Sequence, residues 1–395
     1  MKYPIIITCI LAFIGCSTKS TTNCSNEPTN KALAVLDITK RPEKQIALEN
    51  IIENIEYIPL ETNDSILVDG KPNVVSDRYI IYYNANGQIN IFTRKGKSLY
   101  SFNRRGGSQE EYSHIHNIIL DEEKNELYIQ DIFTSKIFVY SIDGKFKRRL
   151  VLPRMFIPEC LMNYDKDYLF CYNCYFEDKT ENMPKENMNQ ENIKNRDNPY
   201  FFISKQTGKV TPFNYTIPNR MGNQAYTIKN GEITMTHEIS IFPLAQNTHN
   251  IMITEFADDT LYSLKDGKLS PIMIKKPSAH KMNPPMLVGV DIFTDRYIFM
   301  MAYKKEFVEE FPIGTCIIYD IKFNNFYRLG TRLPISFPMK GNKTTLPHNT
   351  GIVFRSAERI LKDYETGKLE GELKEIASKL KEDDNPILML VKIKE

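Results

Sequence analysis

The sequence places its clearest binding chemistry in two adjacent stretches. The first, RRGGSQEEY at residues 104–112, carries Arg104 and Arg105, whose guanidinium groups can donate paired hydrogen bonds to a carboxylate or a phosphate. The stretch lacks the spacing of a P-loop and no helical pattern follows it, so it does not predict a phosphate-binding loop. The alternative is that both arginines are solvated or paired with Glu110 and Glu111.

His114 and His116 follow directly and are two residues apart. On a β-strand this spacing places both imidazoles on one face, so they are predicted to project together if the strand lines a channel. Two histidines do not complete a metal coordination shell, and no carboxylate partner can be assigned. Polar lining and hydrogen bonding are therefore the expected roles, with a metal site as the alternative.

The motif CYNC brings Cys171 and Cys174 within three residues of each other, and Cys160 precedes them. A zinc ribbon needs a second such pair, and a thioredoxin-type motif needs a βαβ setting, neither of which the sequence supplies. A disulfide at a strand end or two buried thiols are therefore predicted.

An acidic run, LDEEKNELYIQD, has the oxygen-rich composition of a calcium loop but no glycine for the turn. We interpret it as a solvated hairpin turn. No G-x-S-x-G elbow and no assignable Ser-His-Asp set occur, so nucleophilic catalysis is not predicted, and neither is a cofactor.

Composition limits the class of partner. The formal charge is +2, and residues 1–15 contribute only Lys2 to it, so the surface is balanced and nucleic acid is not an expected partner. The chain has no tryptophan but 22 tyrosines and 22 phenylalanines, which lie mostly at strand positions and are expected to pack between sheets.

These side chains must be positioned by a repeated unit of two strands joined by a tight turn. Glycine supplies the positive φ that such turns need, and four of the units carry Gly-Lys at the turn. A fifth unit has Asn324 and Asn325 instead, which also tolerate this conformation. The units are QINIFTRKGKSLYSF (88–102), SKIFVYSIDGKFKRRL (135–150), PYFFISKQTGKVTPF (199–213), DTLYSLKDGKLSPIMI (259–274) and TCIIYDIKFNNFYRL (315–329).

Each unit follows a further strand, and the glycine turns are 48, 64 and 59 residues apart. About four strands per repeat at this period predict an all-β fold, a β-propeller, because a parallel α/β fold would need helices between the strands. The lone strands at 54–62 and 385–394 are expected to pair in a closing blade, which removes open edges. We predict six blades, with five or seven as alternatives.

One helix is predicted near the C-terminus. In KLEGELKEIASKLKEDDNP, apolar side chains form a single stripe at helical spacing, and Pro386 is expected to end the helix. The stripe is expected to pack on the propeller, with a partner-binding helix as the alternative. Its members are Leu369, Leu373, Ile376 and Leu380.

The N-terminus has the pattern of an export signal, with Lys2 before a short apolar run that ends in FIGC. FIGC resembles a bacterial lipobox, in which Cys16 becomes the acylated first residue of the mature chain, and a signal peptide cut elsewhere is the alternative. The expected division is a signal peptide (1–15), a lipid-anchored polar tether (16–32) and the propeller (33–395). Residues 177–198 are interpreted as a long polar surface loop.

Four stretches carry a family resemblance: IPLET (58–62), RRGGSQEEY (104–112), DEEKNELYIQD (121–131) and EDDNPILMLVKIK (382–394). They resemble the six-bladed β-propeller lipoproteins of Gram-negative bacteria, which are similar to NHL and TolB-like propellers. Relatives usually have a loop closer to G-x-G-P-G-E-Y, and this chain lacks its proline. The resemblance implies the propeller fold and an envelope location, and it implies no common reaction.

We therefore expect a monomeric, membrane-anchored envelope propeller that binds a small ligand or a protein partner without catalysis. Its predicted binding residues at the channel mouth are Arg104, Arg105, His114, His116 and Arg154, the last because LPRMFIPE (152–159) occupies the corresponding connection one blade further on. The alternatives are a metal-dependent hydrolase or lyase acting in the channel, and a scaffold subunit of an outer-membrane nutrient-uptake complex.

Overall fold

Six sheets, each built on antiparallel strands, form a six-bladed β-propeller, as the sequence predicts. In this computed structural model, residues Leu33–Glu395 make up the propeller unit. The structure describes residues 32–63, 66–153, 156, 158–173, 198–229, 232–247, 250–308, 314–330 and 346–395. The predicted signal peptide with Cys16, as well as Arg154 and Cys174, lie outside these residues, and so does most of the predicted surface loop.

Three strands precede the first blade: β1 (Ala34–Asp37), β2 (Gln45–Ile46) and β3 (Ile52–Pro59). Blade 1 contains β4 (Val74–Val75), β5 (Tyr79–Tyr83), β6 (Gln88–Thr93) and β7 (Ser98–Asn103). Blade 2 contains β8 (Asn117–Asp121), β9 (Glu126–Asp131), β10 (Lys136–Ser141) and β11 (Phe146–Val151). Blade 3 contains β12 (Pro158–Asn163), β13 (Tyr168–Asn173), β14 (Tyr200–Ser204) and β15 (Val210–Pro212).

A separate hairpin, β16 (Gln224–Lys229) and β17 (Glu232–Glu238), follows blade 3. Blade 4 contains β18 (Leu244–Gln246), β19 (Ile251–Ile253), β20 (Thr260–Lys265) and β21 (Lys268–Lys276). Blade 5 contains β22 (Met286–Phe293), β23 (Tyr297–Lys304), β24 (Thr315–Asp320) and β25 (Asn325–Leu329). The last strands are β26 (Thr350–Arg355) and β27 (Ile387–Ile393), and short 3₁₀ turns lie at Leu48–Asn50 and Ala279–Lys281.

Blade 6 joins the two ends of the chain. Strand β27 pairs with β26 on one side and with β3 on the other, over a register that runs from Ile387 opposite Pro59 to Ile393 opposite Ile52. The predicted pairing of the terminal strands is therefore confirmed. One face of this blade buries Leu388 and Leu390 in a cluster with Phe92 of blade 1, so the seam between the two blades is apolar.

The N-terminal segment also covers two outer edges, which the sequence did not predict. Strand β1 pairs in parallel with β21 of blade 4, and β2 pairs in parallel with β25 of blade 5. Because an exposed edge strand is a template for unwanted pairing, these short additions protect blades 4 and 5. In β1, Ala34 and Leu36 are buried and Val35 is exposed. Because all three residues are apolar, the sequence does not show this alternation.

Two helices, α1 (Ala357–Glu365) and α2 (Gly371–Ala377), lie between β26 and β27. The predicted apolar stripe packs as expected, because Leu369 and its partners join the cluster of Val353 and Met389 on blade 6. The single predicted helix is nevertheless wrong in extent. It ends at Ala377, so Pro386 does not end it, and the sequence analysis missed α1 altogether.

The strands give the propeller two unlike faces. The turns between the first and second strands of each blade form one face, which we call the inner-turn face, and residues 122–125 and 164–167 belong to it. The starts of the inner strands lie on the other face, together with the turns between second and third strands. The hairpin turns between third and fourth strands lie at the outer rim.

The outer hairpin glycines have the predicted conformation. Gly96, Gly144, Gly208 and Gly267 all have φ between +72° and +81°. Gly96 is also constrained by its neighbour, since a Cβ at this position would lie 2.2 Å from the carbonyl oxygen of Pro59 in blade 6. At Gly267 a Cβ would meet nothing within 4 Å.

This pair gives a test of the seam. Gly96→Ala and Gly267→Ala both place a side chain at positive φ, which costs about 1–2 kcal/mol. We expect Gly96→Ala to lower the free energy of unfolding by a further 1–3 kcal/mol or so, because its methyl group also collides with Pro59. Urea unfolding followed by circular dichroism measures both variants, and equal losses would contradict a tight contact at the seam.

Candidate functional site

The described members of the predicted binding set, two arginines and two histidines, each contact other residues. Arg104 is exposed, and its Nε donates to the carbonyl oxygen of Gly144 (3.2 Å), which lies in the outer hairpin turn of blade 2. Arg105 is also exposed, and its backbone N–H donates to Asn103 Oδ1 (2.9 Å). No hydrogen bond or ion pair joins either arginine to His114 or His116 within the described part of the chain. Ligand binding by these arginines stays a prediction.

The loop at 104–112 is held by its own polar groups. Tyr112 is fully buried, and its hydroxyl donates to the carbonyl oxygen of Gly87 (2.6 Å) and accepts from the backbone of Arg104 (3.0 Å). Glu111 accepts from the backbone N–H of Ser108 (2.9 Å), and this hydrogen bond lowers the pKa of the Glu111 carboxyl. The Glu111 carboxylate therefore stabilises the backbone of its own loop.

The interpretation of both histidines as strand residues is wrong, since β8 begins at Asn117. The carboxylate of Asp131 accepts from the backbone N–H of Ser113 (2.7 Å), and the backbone N–H of His116 donates to the carbonyl oxygen of Gln130 in β9 (2.9 Å). The His114 ring lies 5.3 Å from that of Phe133, and His116 Nε2 lies 3.7 Å from a carboxylate oxygen of Glu159. The two imidazoles therefore have different surroundings.

The cysteine and acidic motifs also have structural roles. Cys171 is a fully buried thiol and not half of a disulfide, and burial raises its pKa.

The acidic run is not simply a solvated turn. Asp121 is buried against Lys205 of blade 3, whose Nζ lies 2.7 Å from the carboxylate, and Glu126 is buried against Arg148. The partner of Asp121 lies on the neighbouring blade and that of Glu126 two strands away in the same blade, so neither pair can be recognised from the turn alone.

A cavity of about 950 Å³ lies on the inner-turn face. It extends across the inner turns of blades 1 to 4 and reaches the outer hairpin turn of blade 4. Sequence reasoning missed it, because its lining comes from seven separate stretches between Val74 and Gly267. A signal was present: acidic residues recur at the inner turns, at Asp77, 121–123 and Asp165.

One wall of the cavity is aromatic. The ring of Phe202 lies 5.0 Å from that of Tyr164 and 5.8 Å from that of Tyr168, and Tyr168 is 41% exposed. The hydroxyl of Tyr164 accepts from the backbone N–H of Gly267 (2.6 Å), so this wall is fixed to the outer turn of blade 4. Leu264 contributes apolar surface from blade 4.

Amide side chains from blades 3 and 4 form the polar part of the lining. Gln246 Nε2 donates to the carbonyl oxygen of Asn163 (2.5 Å), and Asn247 Oδ1 accepts from the backbone N–H of Asn250 (2.9 Å). Among the described residues, the Oδ1 atoms of Asn163 and Asn250 are buried without a hydrogen-bond partner. The lining therefore holds two unsatisfied acceptors.

Six acidic side chains belong to the lining. Two of them have partners on neighbouring blades, since Asp121 pairs with Lys205 and Glu122 accepts from Ser76 Oγ (2.7 Å). The exposed side chains of Asp77, Glu123 and Asp266 have no ion pair in the described regions of the chain. The two cationic side chains in the lining are Lys166 and Lys265.

A family comparison identifies the chain. The profile of a family described as a domain of unknown function, DUF4934, matches residues 33–285. The chain belongs to the DUF4934 family. The matched range of this DUF4934 protein ends one residue before blade 5 and contains every residue that lines the cavity. No curated protein matches the sequence.

A solved structure with a TM-score above 0.5 has the same fold as the DUF4934 chain. A structure described as an exported protein from Bacteroides fragilis is 16% identical, with a TM-score of 0.61, and covers 91% of this chain and 100% of its own. A member of the DUF4221 family from Bacteroides vulgatus is 10% identical, with a TM-score of 0.49 and coverages of 87% and 97%. BamB from Moraxella catarrhalis is 9% identical, with a TM-score of 0.35 and coverages of 86% and 97%.

The DUF4934 protein also has an acidic side chain in the wall of the central channel. Asp291 lies on the innermost strand of blade 5, at the bulge where β22 slips against β23. Burial raises the pKa of its carboxyl to about 7, and the charge of Lys71 opposes the shift. Because the folded state binds this proton more tightly than the unfolded chain, its stability falls as the pH rises from about 4 towards 7.

We therefore expect Asp291→Asn to stabilise the protein in a pH-dependent way. The gain should be small at pH 4 and on the order of 2–4 kcal/mol at pH 8, where the native carboxylate is ionised and buried. Urea unfolding at both values measures it, with Asp383→Asn as the matched control at an exposed site. A gain that does not change with pH would contradict the assignment.

Proposed function

We propose that this protein is a lipid-anchored envelope propeller that binds a ligand in the inner-turn cavity and does not transform it. The observation that carries the proposal is the cavity itself. At about 950 Å³ it has the size of a pocket for a small organic ligand, and it combines an aromatic wall with a few convergent polar groups.

Two observations support the envelope location. The N-terminus has the pattern of an export signal that ends at Cys16, and the Bacteroides fragilis structure with the same fold is described as an exported protein. None of the helices in the described residues is long and apolar enough to cross a membrane. An acyl chain on Cys16 supplies the attachment to the membrane in this proposal.

The lining of the cavity favours binding over catalysis. It contains no histidine and no cysteine, and its most deeply buried carboxylate, Asp121, is already paired with Lys205. Within the described residues, no group of three or more histidine, cysteine or acidic side chains has a metal-binding arrangement, which gives the hydrolase or lyase alternative no donor set there.

The anchor is tested by metabolic labelling. Full-length protein grown with a labelled fatty acid should carry the label and fractionate with membranes, whereas Cys16→Ala should lose the label and leave the membrane fraction. Cys24→Ala is the matched control, because Cys24 lies in the same tether. Label retained by Cys16→Ala would overturn the anchor assignment.

The cavity is tested by filling it. Full-length protein in detergent is incubated with a small-molecule extract of the producing cells, washed, and its bound compounds are identified by mass spectrometry. Thr211→Trp, which places an indole in the lining, should abolish retention, and Ser270→Trp on the exposed outer strand of blade 4 should not. Equal retention by both variants would contradict a ligand site here, and recovery only of a defined membrane complex would favour the scaffold alternative.

A further inference from the structure

We infer that the inner-turn cavity takes an organic cation, an ammonium or guanidinium group carried on an apolar stem. The inference rests on the ligand-binding function proposed above and names the chemical class of its ligand. Three properties of the lining lead to this class independently of one another: its charge, the direction of its unsatisfied hydrogen bonds, and its aromatic wall.

The charge of the lining disfavours an anion. Lys205 neutralises Asp121, and Arg78 lies 3.3 Å from the carboxylate of Glu122. The remaining acids in the lining are Asp77, Glu123, Asp165 and Asp266, against two lysines. A concave site with one sign of charge in excess concentrates ligands of the opposite sign.

Hydrogen bonding requires a donor. Two buried side-chain atoms of the lining have no hydrogen-bond partner among the described residues, Oδ1 of Asn163 and Oδ1 of Asn250, and both are acceptors. An ionised carboxylate is also only an acceptor. A buried acceptor without a partner is costly, so a ligand that donates to these oxygens gains affinity. Ammonium and guanidinium groups consist entirely of donors.

The aromatic wall accommodates the rest of such a ligand. Tyr168 and Phe202 present ring surface beside the carboxylates, and a cation over an aromatic face is attracted by the ring quadrupole. Leu264, which belongs to the same apolar cluster as Phe202, also lines the cavity and offers apolar contact for a methylene stem. A neutral polyol could donate to the unpaired oxygens, but it would not neutralise the excess negative charge of the lining.

Titration calorimetry of the full-length protein in detergent at low salt tests the inference, with agmatine and spermidine as cations, maltotriose as a neutral polyol and citrate as an anion. We expect the two cations to bind and the other two compounds not to bind. The triple variant Asp77→Asn, Glu123→Gln, Asp266→Asn should weaken cation binding about tenfold. The matched control Glu365→Gln, Glu375→Gln, Glu382→Gln changes the net charge equally at exposed sites on and after the helices, and it should bind as the wild type does.

Tyr168→Ala separates cavity binding from attraction to a charged surface. It leaves every charge in place, and loss of the ring contact should weaken cation binding about fivefold. If the triple variant weakens binding and Tyr168→Ala does not, the cation lies outside the cavity and the inference is wrong. All variants should keep the circular dichroism spectrum of the wild type, since the substituted side chains are exposed.

The closing comparison distinguishes the inference from the proposed function. If maltotriose or citrate binds and Thr211→Trp abolishes that binding while neither cation binds, the ligand class is wrong and the binding function stands. If no compound binds and the cell extract yields nothing that depends on Thr211, the proposed function itself fails.

Discussion

The pairing of β27 with β3 is the interaction on which the rest of the structure depends. A propeller blade buries its two faces only against its neighbours. An unclosed ring would therefore leave one face of the first blade and one face of the last blade exposed to solvent. The contact brings together residues more than three hundred positions apart, from Ile387 opposite Pro59 to Ile393 opposite Ile52. Closing so long a loop costs entropy, which is offset by the apolar seam of Leu388, Leu390 and Phe92.

Closure also fixes the relative positions of the inner turns, and polar contacts then link them from blade to blade. Arg78 of blade 1 reaches Glu122 of blade 2, and Gln246 of blade 4 reaches the backbone of Asn163 in blade 3. A further amide, Asn247, donates to the backbone of Phe293 in blade 5 (3.3 Å). The same turns that link neighbouring blades also line the inner-turn cavity, so the contacts that stabilise the ring also shape the cavity.

The sequence predicted what local physics decides. A glycine at a tight turn, an alternating strand and a stripe of leucines each depend on neighbours in the chain, and so the blades, the turns at Gly96 and Gly144, and the packing of α2 could be recognised. The cavity could not be predicted, because Asn163 of blade 3 and Asn250 of blade 4 line it together only after the two blades pack side by side. The same holds for Asp121, whose partner Lys205 lies in the next blade. Arg104 and His116 were predicted as binding residues because of their residue types. Residue type alone does not determine which neighbouring element a side chain contacts.

The N-terminal strands have a mechanical consequence. Tension applied at Leu33 would act first on the four-residue pairing of β1 with blade 4, and then on the two-residue pairing of β2 with blade 5. Only after both had separated would the load reach β3, which closes the ring. Because these two short pairings would separate before the closing strand, a pull on this end of the chain would be taken up at the rim while the blades remain assembled.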